Sequence, residues 1–137
     1  MSGHIAPVNP PSLMKPVGYS HAYEVKSGRV LFIAGQVAKD GASQVVGTGD
    51  LVVQFRQVCE NLRTVVTAAG GQMTDIVKLT LYVIDVDDYK KRGREIGGVY
   101  REYFGKHFPA MTLVGARDLY DREDGCMIEI EGMAVLA

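Results

Sequence analysis

The sequence predicts an α+β domain in two layers, one β-sheet with two helices packed on a single face. Three observations predict it. Leu51 to Ala69 repeats apolar residues at i, i+3 and i+4, among them Phe55, Val58, Cys59, Leu62 and Val66, the stripe of an amphipathic helix. Ile76 to Ile84 and the run from Cys126 to Leu136 are β-branched and apolar, as strands are. The long elements follow in the order β-β-α-β-α-β-β, which leaves helices for only one sheet face and allows parallel and antiparallel pairing in one sheet.

Residues 1–17 hold four of the five prolines and little periodicity, so they are expected as an irregular lead-in to one domain spanning 1–137. Ser20 to Lys26 and Val30 to Ala34 read as strands. Ser27-Gly28 between them has the chemistry of a hairpin turn, and Ala34-Gly35-Gln36 closes the second strand. Gly41, Gly47 and Gly49 mark a loop with room for a short strand at Gln44 to Val46. Thr48 or Asp50 can cap the first helix, and Gly70-Gly71 end it. Ile76 to Ile84 is apolar enough to be a central strand.

Asp87-Asp88 suit the start of a second helix that runs to Phe104. Its buried side is supplied by Tyr89, Ile96, Val99, Tyr100, Tyr103 and Phe104. Gly93, Gly97 and Gly98 each cost it about 1 kcal/mol relative to Ala, which points to close packing or a local opening around Gly97-Gly98. Pro109 ends the connection, Met111 to Ala116 is the next strand, and a polar loop over Asp118 to Gly125 leads to the last. That last strand sets Ile128, Ile130, Ala134 and Leu136 on one face and Met127, Glu129, Glu131, Met133 and Val135 on the other. A face that mixes Met and Val with two carboxylates is expected to meet another subunit, a ligand, or both.

The bulk properties narrow the function. The chain has 137 residues, 47% hydrophobic and 23% charged, ordinary values for one globular domain. A net charge of -1 gives no reason to expect nucleic acid, and Lys90-Lys91-Arg92-Gly93-Arg94 reads as a solvated helix face. No apolar run approaches the roughly 20 residues of a membrane span, so no membrane partner is expected. The N-terminus lacks a signal-peptide layout. The two cysteines, Cys59 and Cys126, make neither a disulfide framework nor a metal cluster and are expected as small buried residues. A cytoplasmic location is the expectation. Glu129 and Glu131 with three scattered histidines make a poor metal site, so none is expected.

Several short pieces, in order, resemble the Rid/YjgF superfamily, also known under the older label endoribonuclease L-PSP. They are Gly18-Tyr19-Ser20, Ala34-Gly35-Gln36, Gln54, Asn61-Leu62, Ala68-Ala69-Gly70 and Asp75-Ile76-Val77-Lys78. Tyr100 with Tyr103-Phe104, Pro109-Ala110 and Ile128-Glu129-Ile130-Glu131 complete the set. The resemblance implies a chorismate-mutase-like fold, assembled as a homotrimer around a barrel-like interior, with ligand clefts between subunits. It also implies hydrolytic deamination of reactive enamines and imines such as 2-aminoacrylate, without metal or organic cofactor.

By that resemblance Glu129 matches the glutamate associated with water activation, Tyr19 the tyrosine lining the cleft, and Gly35 the loop backbone near the ligand. Two positions depart from it. The arginine of the Pro-Ala-Arg-Ser run, suited to a substrate carboxylate, is Met111, followed by Thr112 in place of Ser; the asparagine of the second helix is Gly97. Arg117, on the same strand face as Met111 if the strand stays regular but about 20 Å along it, is too far to replace the lost charge. Tyr19 either lines the cleft or simply packs. Glu129 is either an acid/base group or a carboxylate paired across a subunit boundary, and Glu131 reads as structural. His21 reads as a hydrogen-bonded residue rather than a catalyst. The expected function is hydrolysis of a small imine or enamine other than 2-aminoacrylate. The alternative is a non-catalytic trimer that binds a small molecule in its clefts.

Overall fold

The computed structural model describes residues 3–137, and the start of the lead-in, residues 1–2, lies outside them. Its strands are β1 (Ile5–Val8), β2 (Ala22–Val25), β3 (Arg29–Val37), β4 (Ile76–Val83), β5 (Ala110–Gly115) and β6 (Ile128–Leu136). The helices are α1 (Leu51–Ala68), α2 (Val86–Lys91) and α3 (Gly93–Phe104). The main sheet has the order β3-β6-β4-β5. β4 runs parallel to β5, and β6 is antiparallel to both its neighbours. The mixed pairing and the central place of β4 follow the sequence reading.

Four expectations are corrected. β2 and β3 do not form a hairpin: β2 pairs with β1 in a separate two-stranded ribbon. A turn signal fixes where the chain reverses, but the partner is fixed by which strand offers matching unpaired backbone, and β6 takes β3 along its length. The lead-in is therefore not wholly irregular, since β1 lies within it. The second helix is two helices broken at Arg92, not at Gly97-Gly98. Asp85 caps α2 by accepting from the Asp88 amide, and the chain restarts as α3 at Gly93. Near Gln44 to Val46 only a single bridge, Lys39 to Val45, forms.

The helices cover one face of the sheet. Val58, Cys59, Leu62 and Val66 of α1 and Ile96, Val99 and Phe104 of α3 bury against Leu79, Leu81, Ile128 and Ile130. The register places Met111 opposite Leu79 and Leu113 opposite Leu81, so both side chains join that face. Thr112, opposite Thr80, points the other way. The helix-free face is only partly covered. Residues of β2 line a common cavity with Val30, Val77, Met133 and Val135, and Val135 is 1% exposed. Even so, Val30 remains 51% exposed and, farther along, Phe32 77%.

Four polar side chains with internal partners set the elements that carry the site. Asp50 caps α1 through the amides of Val52 and Val53. Gln54, fully buried, donates to the carbonyls of Gly47 and Gly125 and accepts from the Met127 amide, tying α1 to the start of β6. Asn61 donates to the carbonyls of Val37 and Lys39, holding the end of β3. Ser20 donates to the Phe108 carbonyl, while its amide donates to that of Pro109 at 3.0 Å. That pair brings Tyr19 beside the start of β5.

Candidate functional site

Two groups of residues stand out, on opposite faces of the sheet. The first is built on a β-bulge. Ile33 pairs with Gly132 and Gln36 with Ile130, so Ala34 and Gly35 form the irregularity opposite Glu131. The Glu129 carboxylate lies directly over the Gly35 backbone, where a Cβ on residue 35 would come within 2.8 Å of the carboxyl carbon. Only glycine leaves room for this approach. Burial raises the Glu129 pKa above the usual carboxylate range, and the charges of Asp121 and Glu131 raise it further. Among the described residues no side chain makes an ion pair or hydrogen bond with it. Glu131, more exposed, instead accepts from the Tyr82 hydroxyl at 3.0 Å.

The second group lines an open cavity of about 610 Å³ between α2, α3, β5 and the segment before β2. Tyr19, Tyr100, Gly97, Arg101, Phe108 and Met111 are among the residues that line it. The Tyr100 ring stacks on Phe104 and Phe108, with centroids at 4.4 and 5.5 Å. Its hydroxyl donates to the His107 carbonyl at 2.7 Å, and burial raises its pKa. The wall it offers is thus an aromatic surface with its polar end already occupied. His107 bonds the Ile76 carbonyl at 2.6 Å through Nε2, and burial lowers its pKa.

The residues singled out from sequence therefore divide. Glu129 and Gly35 come together, and Tyr19 and Met111 come together, but the two pairs do not meet within one chain. Thr112 joins neither, since it faces away from Met111 and accepts from Lys78 Nζ at 3.3 Å. His21 is held by Met14, whose carbonyl lies 2.7 Å from Nε2. Its ring packs edge-on against Tyr19, so it serves as a brace for that tyrosine. Arg117 is exposed beyond β5 and does not line the cavity. Both cysteines are buried and free, and burial pushes the Cys59 thiol up to about 12. Arg92 pairs with Asp88 and Glu95 on the solvated face. Among the described residues no cluster of three or more His, Cys, Asp or Glu is placed to hold a metal, and no helix is long and apolar enough to cross a membrane.

Arg101, Tyr100 and Phe108 escaped the sequence reading as lining residues. The usable signal was the spacing of Gly97 and Arg101 at i, i+4, which puts a missing side chain and a long cationic one on the same helix face.

The family model described as endoribonuclease L-PSP matches residues 12–136. A RutC family protein of Pyrococcus horikoshii is 40% identical over 121 residues, 88% of this chain and 89% of its own length. The human 2-iminobutanoate/2-iminopropanoate deaminase is 30% identical over 117 residues, covering 85% of this chain and 79% of that one. Among solved structures, a conserved Rid-family protein of Yersinia pestis superposes with a TM-score of 0.86 at 34% identity, covering 97% and 99% of the two chains.

Proposed function

The chain belongs to the Rid/YjgF (endoribonuclease L-PSP) family, and from that premise we propose that it is a hydrolytic deaminase of a small reactive imine or enamine. The observation that carries this reading is Glu129: a half-buried carboxyl with a raised pKa, without a partner among the described residues, held over the bare backbone of Gly35. Such a group can take a proton from an attacking water and return one to the departing nitrogen. Water adds to the imine carbon, the C–N bond of the carbinolamine breaks, and a carbonyl compound and ammonia leave. An enamine reaches the same path after tautomerising to its imine.

The two residue groups become one site only if a second copy lays its Glu129 and Gly35 against the cavity containing Tyr19 and Met111. A homotrimer with clefts between subunits is the assembly this reading requires. Exposed Phe32 and Val30 on the helix-free face supply apolar surface for it. Light scattering at micromolar concentration is expected to return a mass near three chains, and a clean monomer would count against the shared site.

Met111 and Gly97 favour a second reading, a non-catalytic trimer that binds a small ligand, because both stand where the family places polar substrate contacts. The test is a panel of imines generated in place from amino acids, with ammonia release followed against the spontaneous rate. At least one imine is expected to be hydrolysed faster than in buffer. 2-Aminoacrylate is expected to be poor, since Met111 on β5 offers its carboxylate no donor and a cavity of about 610 Å³ is far larger than a three-carbon substrate fills. No acceleration across the panel would leave the binding reading in place.

A further inference from the structure

The cavity does contain a cation, but on a different wall. Gly93, Gly97 and Arg101 follow one another at four-residue steps and so share one face of α3, and all three line the cavity. A Cβ at Gly93 would meet nothing within 4 Å, and one at Gly97 would already touch Arg101 Nη1 at 3.6 Å. The helix therefore presents bare backbone with a guanidinium beside it, and a longer side chain at 97 would compete for that space. Arg56, Arg63, Arg92 and Arg122 each have a carboxylate within 4.0 Å. Arg101, like Arg29, Arg94 and Arg117, has no such partner among the described residues, and of these four it alone lines the cavity, as the single charged side chain there. The other walls are apolar or aromatic, with Met111, Leu113 and Phe108 prominent. The space of about 610 Å³ is of the size that takes ligands well beyond three carbons.

We propose that Arg101 anchors the carboxylate of a bulky, apolar 2-imino acid whose side chain fills the cavity beside Met111, Leu113 and Phe108. This rests on the imine-deaminase reading above and names its substrate class. The anchor is carried by α3 instead of β5, and Gly97 is the small residue that gives it room. A guanidinium fork holds a carboxylate with two parallel hydrogen bonds. An apolar body explains why the rest of the lining offers so little polarity.

The test reads binding and needs no turnover. Phenylpyruvate, the stable keto acid of such an imine, is titrated calorimetrically into the purified full chain beside phenylpyruvamide and pyruvate. Wild type is expected to bind phenylpyruvate saturably, more weakly at high salt, and more tightly than either the amide or pyruvate. Arg101 is exposed, so Arg101→Gln is expected to melt as wild type does. That variant is expected to lose about 10- to 100-fold of phenylpyruvate affinity with the amide unchanged. Arg101→Lys recovers part of the loss. Equal phenylpyruvate affinity in wild type and Arg101→Gln, or no saturable binding to wild type, overturns the proposal. Arg101-dependent binding in a protein that hydrolyses no imine upholds the anchor and removes the deaminase. Imine turnover with Arg101-independent binding does the reverse.

Discussion

Glu129→Gln is expected to lower turnover about 10²-fold or more while leaving assembly and ligand binding intact. The substitution keeps size and shape but cannot exchange a proton. Had Glu129 been only an interface carboxylate, the same change would loosen the oligomer and spare activity, so activity and light scattering together separate the two roles. The pH dependence of stability gives a second, independent reading. Burial, then Asp121 and Glu131, raise the folded-state pKa of Glu129. The folded state therefore holds this proton more tightly than the unfolded chain. That contribution is fully present below the unfolded value of about 4.3 and is lost as pH rises through the raised folded value. Glu129→Gln cannot ionise, so its melting temperature is expected to gain on wild type as pH rises toward neutrality. A carboxylate stabilised by a cationic partner gives the opposite slope, and observing that slope would falsify the acid/base assignment.

Gly35→Ala is expected to cost activity by about the same factor and stability by little. Gly35 has no positive φ, so alanine suits the backbone. The added methyl would collide with the Glu129 carboxyl group, the end of a flexible side chain that can swing aside. The carboxylate then leaves its place over the bulge, and the proton it exchanges goes with it. Because both substitutions remove the same interaction, the double variant Gly35→Ala/Glu129→Gln is expected to be no slower than Glu129→Gln alone. Additive losses would mean that Gly35 acts on something other than Glu129.

How much of the site could be read in advance depended on the range of the interactions involved. Glu129 was legible because strand alternation is local: Ile128 and Ile130 on one face force Glu129 and Glu131 onto the other. The same rule separates Met111 from Thr112, which the family pattern treats as neighbours in one run but which point to opposite faces. Arg117 looked like the nearby cation because it is close in sequence. Arg101, ten residues before Met111, reaches the same cavity because α3 packs across β5.

By itself the sequence determined the period and order of the long elements, the apolar stripe of α1, and the face of β6 that carries Glu129 and Glu131; the choice of Asp50 over Thr48 as the cap of α1, and of Asp85 as the cap of α2, came from the structure. The first three are matters of neighbours within a few residues, where backbone geometry fixes which side chains share a face. Tertiary structure alone decided that β2 leaves β3 for β1, that the helix after β4 restarts at Gly93, and that Gly35 receives the Glu129 carboxylate. It also decided that Arg101, not a residue of β5, charges the cavity. Each of these turns on which distant surface wins a backbone or a side chain, and that competition is settled by packing the whole sheet against its helices.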